Sequence, residues 1–179
     1  MVRKIGFIGR FQPTHIGHIK TIKYLLKKCD ELFIVIPSFR SFTIENPLSG
    51  NESKKILIMS LKDSNIDLKK IHINLVRQPK YNKLPKLKYT YNKIRDFAGE
   101  ELVIFTANKN VYSKLIENNI RVKLFKRIIS SKGKISATKI RELISKNENI
   151  DCFLTISVIK YLEDGRIYNR IKNLYNKKN

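Results

Sequence analysis

Short apolar runs alternate with helical periodicities along most of this chain. Ile5 to Ile8, Leu32 to Ile36, Ile71 to Val76, Leu102 to Phe105 and Val122 to Phe125 are brief and rich in branched side chains. That is the pattern of parallel strands covered on both faces. Between them apolar residues recur at helical spacing over about His18 to Lys28, Glu52 to Leu61, Tyr89 to Phe97 and Val111 to Glu117. The alternation predicts an α/β fold, a doubly wound parallel sheet of five strands with right-handed crossovers. Arg77 to Lys88 carries Pro79, Pro85 and Tyr81 among lysines without periodicity, and it reads as a long loop. Further on, Ile140, Leu143 and Ile144 mark another helix, followed by Cys152 to Leu162 and Ile167 to Tyr175, broken at Asp164-Gly165. These C-terminal helices, about 151–176, are expected beside the sheet or against a second copy of the chain, and residues 1–179 read as one domain.

The first strand runs into its helix through Gly9-Arg10-Phe11-Gln12-Pro13-Thr14-His15-Ile16-Gly17-His18. A helix start presents unpaired N–H groups and the positive end of the macrodipole, and Arg10, His15 and His18 add side-chain donors around it. Polyphosphate suits such a place. With Gly17 allowing close backbone approach, two neutral imidazoles can donate to one phosphate group without adding full charges. They supply position rather than proton transfer. A zinc site fits poorly, because His72 is the only other histidine and Cys29 and Cys152 lie far off without metal-ligand spacing. A second segment, Lys134 to Arg141, opens the next helix with hydroxyl residues. Taken alone, Ser136 is an ordinary helix cap. Beside the first motif, Ser136, Thr138 and the forked donors of Arg141 are expected to face the outer phosphates of a triphosphate.

Together the two segments resemble the HxGH and ISSTxIR signatures of the nucleotidylyltransferase superfamily, and Gly9 to His18 is similar to the archaeal-type nicotinamide-mononucleotide adenylyltransferases. Glu45 to Glu52 resembles that family's acidic-Asn-Pro segment, and Thr106-Ala107-Asn108 takes the place of its Ser-Gly-Asn turn. The resemblance implies a Rossmann-like fold and transfer of AMP from ATP to a mononucleotide 5′-phosphate. It implies ATP binding by Gly9, Arg10, Phe11, His15, Gly17, His18, Ser38, Ser136, Thr138 and Arg141, with Arg10, His15, His18 and Arg141 aligning the reacting phosphates. Asn46, Pro47, Tyr89 and Asn108 match the acceptor side. Magnesium is expected to ride in with ATP, since no clustered carboxylates offer it a protein site. The chain also departs from the family. Pro37-Ser38 stands in place of Gly-Ser, the loop to Glu45 is one residue shorter, and Ser53 replaces an arginine. No tryptophan is present to stack on a nicotinamide ring, which leaves that role to Tyr89 or Tyr91 or else points to another acceptor: nicotinate mononucleotide, FMN or a phosphopantetheine-like group.

Charge brings in a rival. Thirty-seven Lys and Arg against 15 acidic residues give a formal net charge of +22, which suits a basic nucleic-acid-binding protein without turnover. The lysines are dispersed, however, as at Lys20, Lys23, Lys27 and Lys28, and read as a solvated surface that steers anions and admits only weak, nonspecific nucleic-acid binding. No hydrophobic run of signal-peptide or membrane-spanning length appears, so a cytoplasmic protein with no membrane partner is expected. The two cysteines read as reduced core residues.

Overall fold

The computed structural model describes residues 2–79, 86–126, 135–164 and 166–177. The chain runs β1 (Val2–Ile8), α1 (Ile16–Leu26), β2 (Cys29–Ser38), α2 (Gly50–Asp63), β3 (Ile71–Arg77), α3 (Lys86–Ala98), β4 (Val103–Thr106), α4 (Lys109–Glu117), β5 (Val122–Leu124), α5 (Ala137–Ser145), α6 (Ile156–Glu163) and α7 (Arg166–Asn176). All five strands are parallel, in the order β3-β2-β1-β4-β5. The winding therefore reverses between β1 and β4, where a doubly wound sheet leaves a crevice beyond the carboxyl ends of its strands.

Strand β2 shows why the sheet is covered on both sides. Leu32, Ile34 and Ile36 join the cluster beneath α1 and α2, with Ile19, Ile22, Leu25, Leu57 and Leu61. Phe33 and Val35 point the other way, into the cluster of Tyr91, Ile94, Leu102, Ile104 and Leu115 under α3 and α4. Each of the fully buried aliphatic side chains contributes roughly 1.5–3 kcal/mol of transfer free energy. Pro37 fits within β2 because it faces β1 beyond that strand's end, so its missing N–H breaks no ladder bond. The C-terminal helices form a third core on α2, built from Ile140, Ile144, Leu154, Val158, Leu162, Ile167 and Ile171 together with Leu48 and Ile56. They pack beside the sheet, and the Phe153 carbonyl accepts from the first N–H of α1, on Ile16, at 3.0 Å.

Several boundaries differ from the sequence reading. Helix α3 begins at Lys86, so Lys86 and Lys88 are helical, while Arg77 ends β3. The rest of the expected loop at 80–85 lies outside the described residues, and so do Gly165 and Lys134. Helix α6 starts at Ile156 rather than Cys152, because residues 151–153 form a turn and Thr155 takes the extended N-cap conformation. Cys29 and Cys152 are free, and burial first, with Asp30 adding to it, pushes the Cys29 thiol up to about 11, so it stays protonated at neutral pH. Among the described residues no helix is long and apolar enough to cross a membrane.

Gly50 opens α2 directly against β2. A Cβ there would come within 2.6 Å of the Ser38 Oγ and 2.8 Å of its Cβ, too close for a rotamer change alone to relieve. Gly50→Ala is expected to destabilise the chain by about 1–3 kcal/mol, as overpacking does, read as a lowered denaturant midpoint at unchanged slope.

Candidate active site

A cleft of about 700 Å³ lies over the strand ends at the switch point. The β1–α1 turn forms its centre through Gly9, Arg10, His15, Gly17 and His18, and the β4–α4 turn forms the adjacent wall through Thr106, Asn108 and Lys109. Among the described residues Arg10, Lys86 and Lys109 line it and no Asp or Glu does, so the electrostatics favour an anion.

The histidines are fixed by the helix they open. The His15 side chain caps α1, its Nδ1 accepting from the Gly17 N–H at 3.1 Å, and the His18 Nδ1 accepts from the His15 N–H at 3.3 Å. This is a capping box made of two imidazoles. An accepting Nδ1 carries no proton, so in the neutral rings Nε2 is the donor of both. The rings stack with centroids 3.8 Å apart and planes 28° apart, which aligns the two donors. Gly17 makes the stack possible, because a Cβ there would sit 3.0 Å from the His15 Cε1 and Nδ1. Beneath His18 lies Phe11, 1% exposed, with centroids 4.8 Å apart and Phe7 at 5.9 Å. Phe11 holds φ at 51°, a left-handed conformation costly for a bulky residue, and its buried ring compensates.

The two motifs meet. Arg141, 2% exposed, donates from Nη1 to the Gln12 carbonyl at 2.8 Å and from Nη2 to the Thr138 Oγ1 at 3.2 Å. Burial pulls its guanidinium below its ordinary range, Tyr175 and Glu45 oppose that, and the charge of Arg10 adds to it. This arginine bridges the two motifs and is not among the described residues that line the cleft. Ser136 caps α5, its Oγ accepting from the Lys139 N–H at 3.2 Å, and Ile135 is the described residue of this segment on the cleft wall.

Other expected contacts are also placed elsewhere. Ser38 packs on Gly50, with Pro37 and Phe39 on the cleft wall instead. Asn46 closes a turn with Thr43, and the Pro47 carbonyl accepts from Arg170 at 2.9 Å; neither lines the cleft. Tyr89 and Tyr91 pack in the α3 core, Tyr91 to 7% exposure, because α3 turns Thr90 toward the cleft. Asn108 does line it while capping α4, its Oδ1 accepting from the Asn110 and Val111 N–H groups. Sequence reading missed Gln78, Thr90, Phe39 and Lys109. Gln78 and Lys109 had a signal in following the ends of β3 and β4, where such sheets bind ligands.

Two arrangements explain the departures around Glu45 to Ser53. Gln12, 3% exposed, donates from Nε2 to the Leu48 carbonyl at 3.0 Å and to the Ser53 Oγ at 3.1 Å, while its Oε1 accepts from the Leu48 N–H at 2.8 Å. Ser53 is therefore small to receive Gln12. Arg170 of α7 forks onto Glu52 at 2.8 and 3.1 Å, with Phe42 stacked 4.0 Å from its Cζ. Burial raises the Glu52 carboxyl, but hydrogen bonds from Arg170 and Ser49 outweigh it and leave the group below its ordinary 4.5. A depressed carboxyl stabilises the fold fully above its unfolded value, and that stabilisation fades as pH falls through the lower folded value. Arg170→Ala is expected to cost about 1–3 kcal/mol at neutral pH, between exposed and fully buried pairs, and to flatten the acid limb of stability below pH 4.5 in urea melts.

With this geometry in view, the class of protein is a nucleotidyltransferase, as the relative named next shows; residues 6–78 also match the cytidylyltransferase-like family model. The chain is 32% identical over 177 residues to the nicotinamide-nucleotide adenylyltransferase of Pyrococcus furiosus, spanning 94% of this chain and 87% of that one. It belongs to the nicotinamide-nucleotide adenylyltransferase family. A bifunctional NMN adenylyltransferase/ADP ribose pyrophosphatase from Francisella tularensis shares the fold at a TM-score of 0.82 and 20% identity, with 99% of this chain matched to 54% of that one. The same Francisella protein complexed with AMP and a manganese ion superposes at a TM-score of 0.75 and 21% identity, again over 99% and 54% of the two chains.

Proposed function

We propose that this chain transfers the adenylyl group of ATP to the 5′-phosphate of nicotinamide mononucleotide, giving NAD and pyrophosphate, in the cleft between the β1 and β4 turns. The observation that carries this reading is the stacked, helix-capping pair His15 and His18 inside a cleft lined, among the described residues, by three cations and no carboxylate. An acceptor phosphate oxygen attacks the α-phosphorus of ATP. The bond from that phosphorus to the bridging oxygen breaks, and its electron pair leaves with pyrophosphate. The nucleophile is already anionic, so no general base is required and catalysis is alignment plus stabilisation of moving charge. His15 and His18 donate Nε2–H to the phosphates, and Arg10 and Lys109 neutralise charge at either side. Arg141 acts as a positioning residue through the Gln12 carbonyl.

Among the described residues no group of three or more His, Cys, Asp or Glu comes together as metal ligands would. A divalent cation, magnesium in our reading, would come with the ATP substrate and would supply charge neutralisation at its phosphates. The reaction is tested by pyrophosphate release from ATP over a panel of nicotinamide mononucleotide, nicotinate mononucleotide, FMN and phosphopantetheine. Release with nicotinamide mononucleotide, accompanied by NAD, is expected. Release only with FMN or phosphopantetheine, or with nothing, would overturn it.

A further inference from the structure

At the end of β3, Gln78 lines the cleft yet is 5% exposed, and the orientation of its amide is fixed by its neighbour. The Thr90 hydroxyl has a single proton, donated to the Lys86 carbonyl at 2.8 Å. Toward Gln78 it must therefore accept, so the amide nitrogen of Gln78 faces it, at 3.0 Å. The Gln78 Oε1 is the atom left over. It is buried without a hydrogen-bond partner, a costly arrangement unless a ligand completes it.

The cleft has two arms. Strand order β3-β2-β1-β4-β5 sets the phosphate-binding turn after β1 in the middle, with Pro37, Phe39 and Gln78 toward β2 and β3 and Asn108, Lys109 and Phe125 toward β4 and β5. A reaction that joins two nucleotides through their phosphates needs its two bases on opposite sides of that turn. The β3 arm, where a wall of Pro37, Phe39 and Leu87 meets the unpartnered Gln78 Oε1, suits a flat ring that carries an N–H donor, as a carboxamide-bearing acceptor ring does.

Resting on the proposed reaction, we infer that Gln78 selects the acceptor, its Oε1 accepting from the amide nitrogen of a pyridine carboxamide and rejecting the corresponding carboxylate. A carboxylate carries only acceptors and a negative charge, so it would leave this oxygen unpartnered and repelled. A site built around a specific hydrogen bond discriminates better than one built on shape.

Steady-state kcat/KM for nicotinamide and nicotinate mononucleotides, with ATP saturating, tests this. The wild type is expected to favour the amide by about tenfold or more, from the cost of an unsatisfied buried acceptor. Gln78→Met keeps length and volume but removes the acceptor; the ratio should collapse toward one, through loss with the amide substrate, while KM for ATP stays put. Gln78→Glu keeps an acceptor and adds charge, and should widen the ratio. Thermal melts verify that both variants fold. Equal use of the two acceptors by the wild type, or an unaltered ratio in the folded variants, would overturn the role of Gln78 and leave the proposed reaction standing. A rise in KM for ATP instead would assign Gln78 to the adenine arm and overturn it as well. Turnover with neither acceptor would sink the reaction itself.

Discussion

His18→Asn is expected to lower kcat by about 10²–10³, the loss typical of one preorganised donor and equivalent to about 2.7–4 kcal/mol of transition-state stabilisation, with little change in melting temperature. The separation of the two effects follows from the two ends of the imidazole. Nδ1 accepts from the His15 N–H at 3.3 Å and so belongs to the helix cap. The asparagine Oδ1 reaches about as far as Nδ1 and can keep that bond, as asparagine does at helix starts generally. Nε2, the donor in the neutral ring, has no counterpart in asparagine. What is lost is therefore the group aimed at developing charge, while the fold keeps its cap. His18→Ala removes both ends and is expected to lose stability as well, by roughly the 0.5–2 kcal/mol of a missing cap. The check is kcat of the purified variants beside their thermal melts. Wild-type turnover in His18→Asn would remove the Nε2 donor from the mechanism.

The sheet was legible because its signals are local. Five branched runs separated by helical periodicities admit few topologies once crossovers are right-handed, and the switch point beside the Gly9 to His18 turn follows from the strand order. The first motif was legible as a helix start, and His15 and His18 do cap that helix. What could not be read was direction. Arg141 carries the forked donor a phosphate would want, yet it turns inward to the Gln12 carbonyl, 129 positions away. Asn46 and Pro47 carry turn chemistry, and whether such residues face a ligand or close their own loop depends on the helix packed behind them, here α7 with Arg170. Tyr89 and Tyr91 were chosen for their rings, while the cleft takes Thr90 between them because Tyr91, Ile94 and Ala98 turn α3 onto the core. Long-range pairings of this kind leave no periodic trace. Lys20 and Lys23 of α1, and Lys27 and Lys28 just past its end, are all exposed, as the surface reading expects.

Gln12→Ala is expected to destabilise the chain by about 3–5 kcal/mol, because three buried groups lose their partner at once and each unsatisfied group costs roughly 1–3 kcal/mol. Those groups are the Leu48 N–H, the Leu48 carbonyl and the Ser53 hydroxyl, with Leu48 4% exposed and Ser53 fully buried. The segment they hold, Asn46 to Ser49, links β2 to α2 and docks Leu48 into the core of the C-terminal helices. Gln12 thus ties the β1–α1 turn to that core through its side chain, while its carbonyl ties the same turn to Arg141. Domains of this size are stable by about 5–15 kcal/mol, so the loss would consume much of the margin and show as a large fall in the urea midpoint. A double-mutant cycle with Ser53→Ala separates the parts: in the Gln12→Ala background the serine hydroxyl has already lost its partner, so removing it should be neutral or restore some stability. In the wild-type background the same change strands one donor of Gln12 and should cost stability. Purely additive effects would mean that water takes the place of the glutamine amide, and that the turn and the C-terminal core are held together by packing alone.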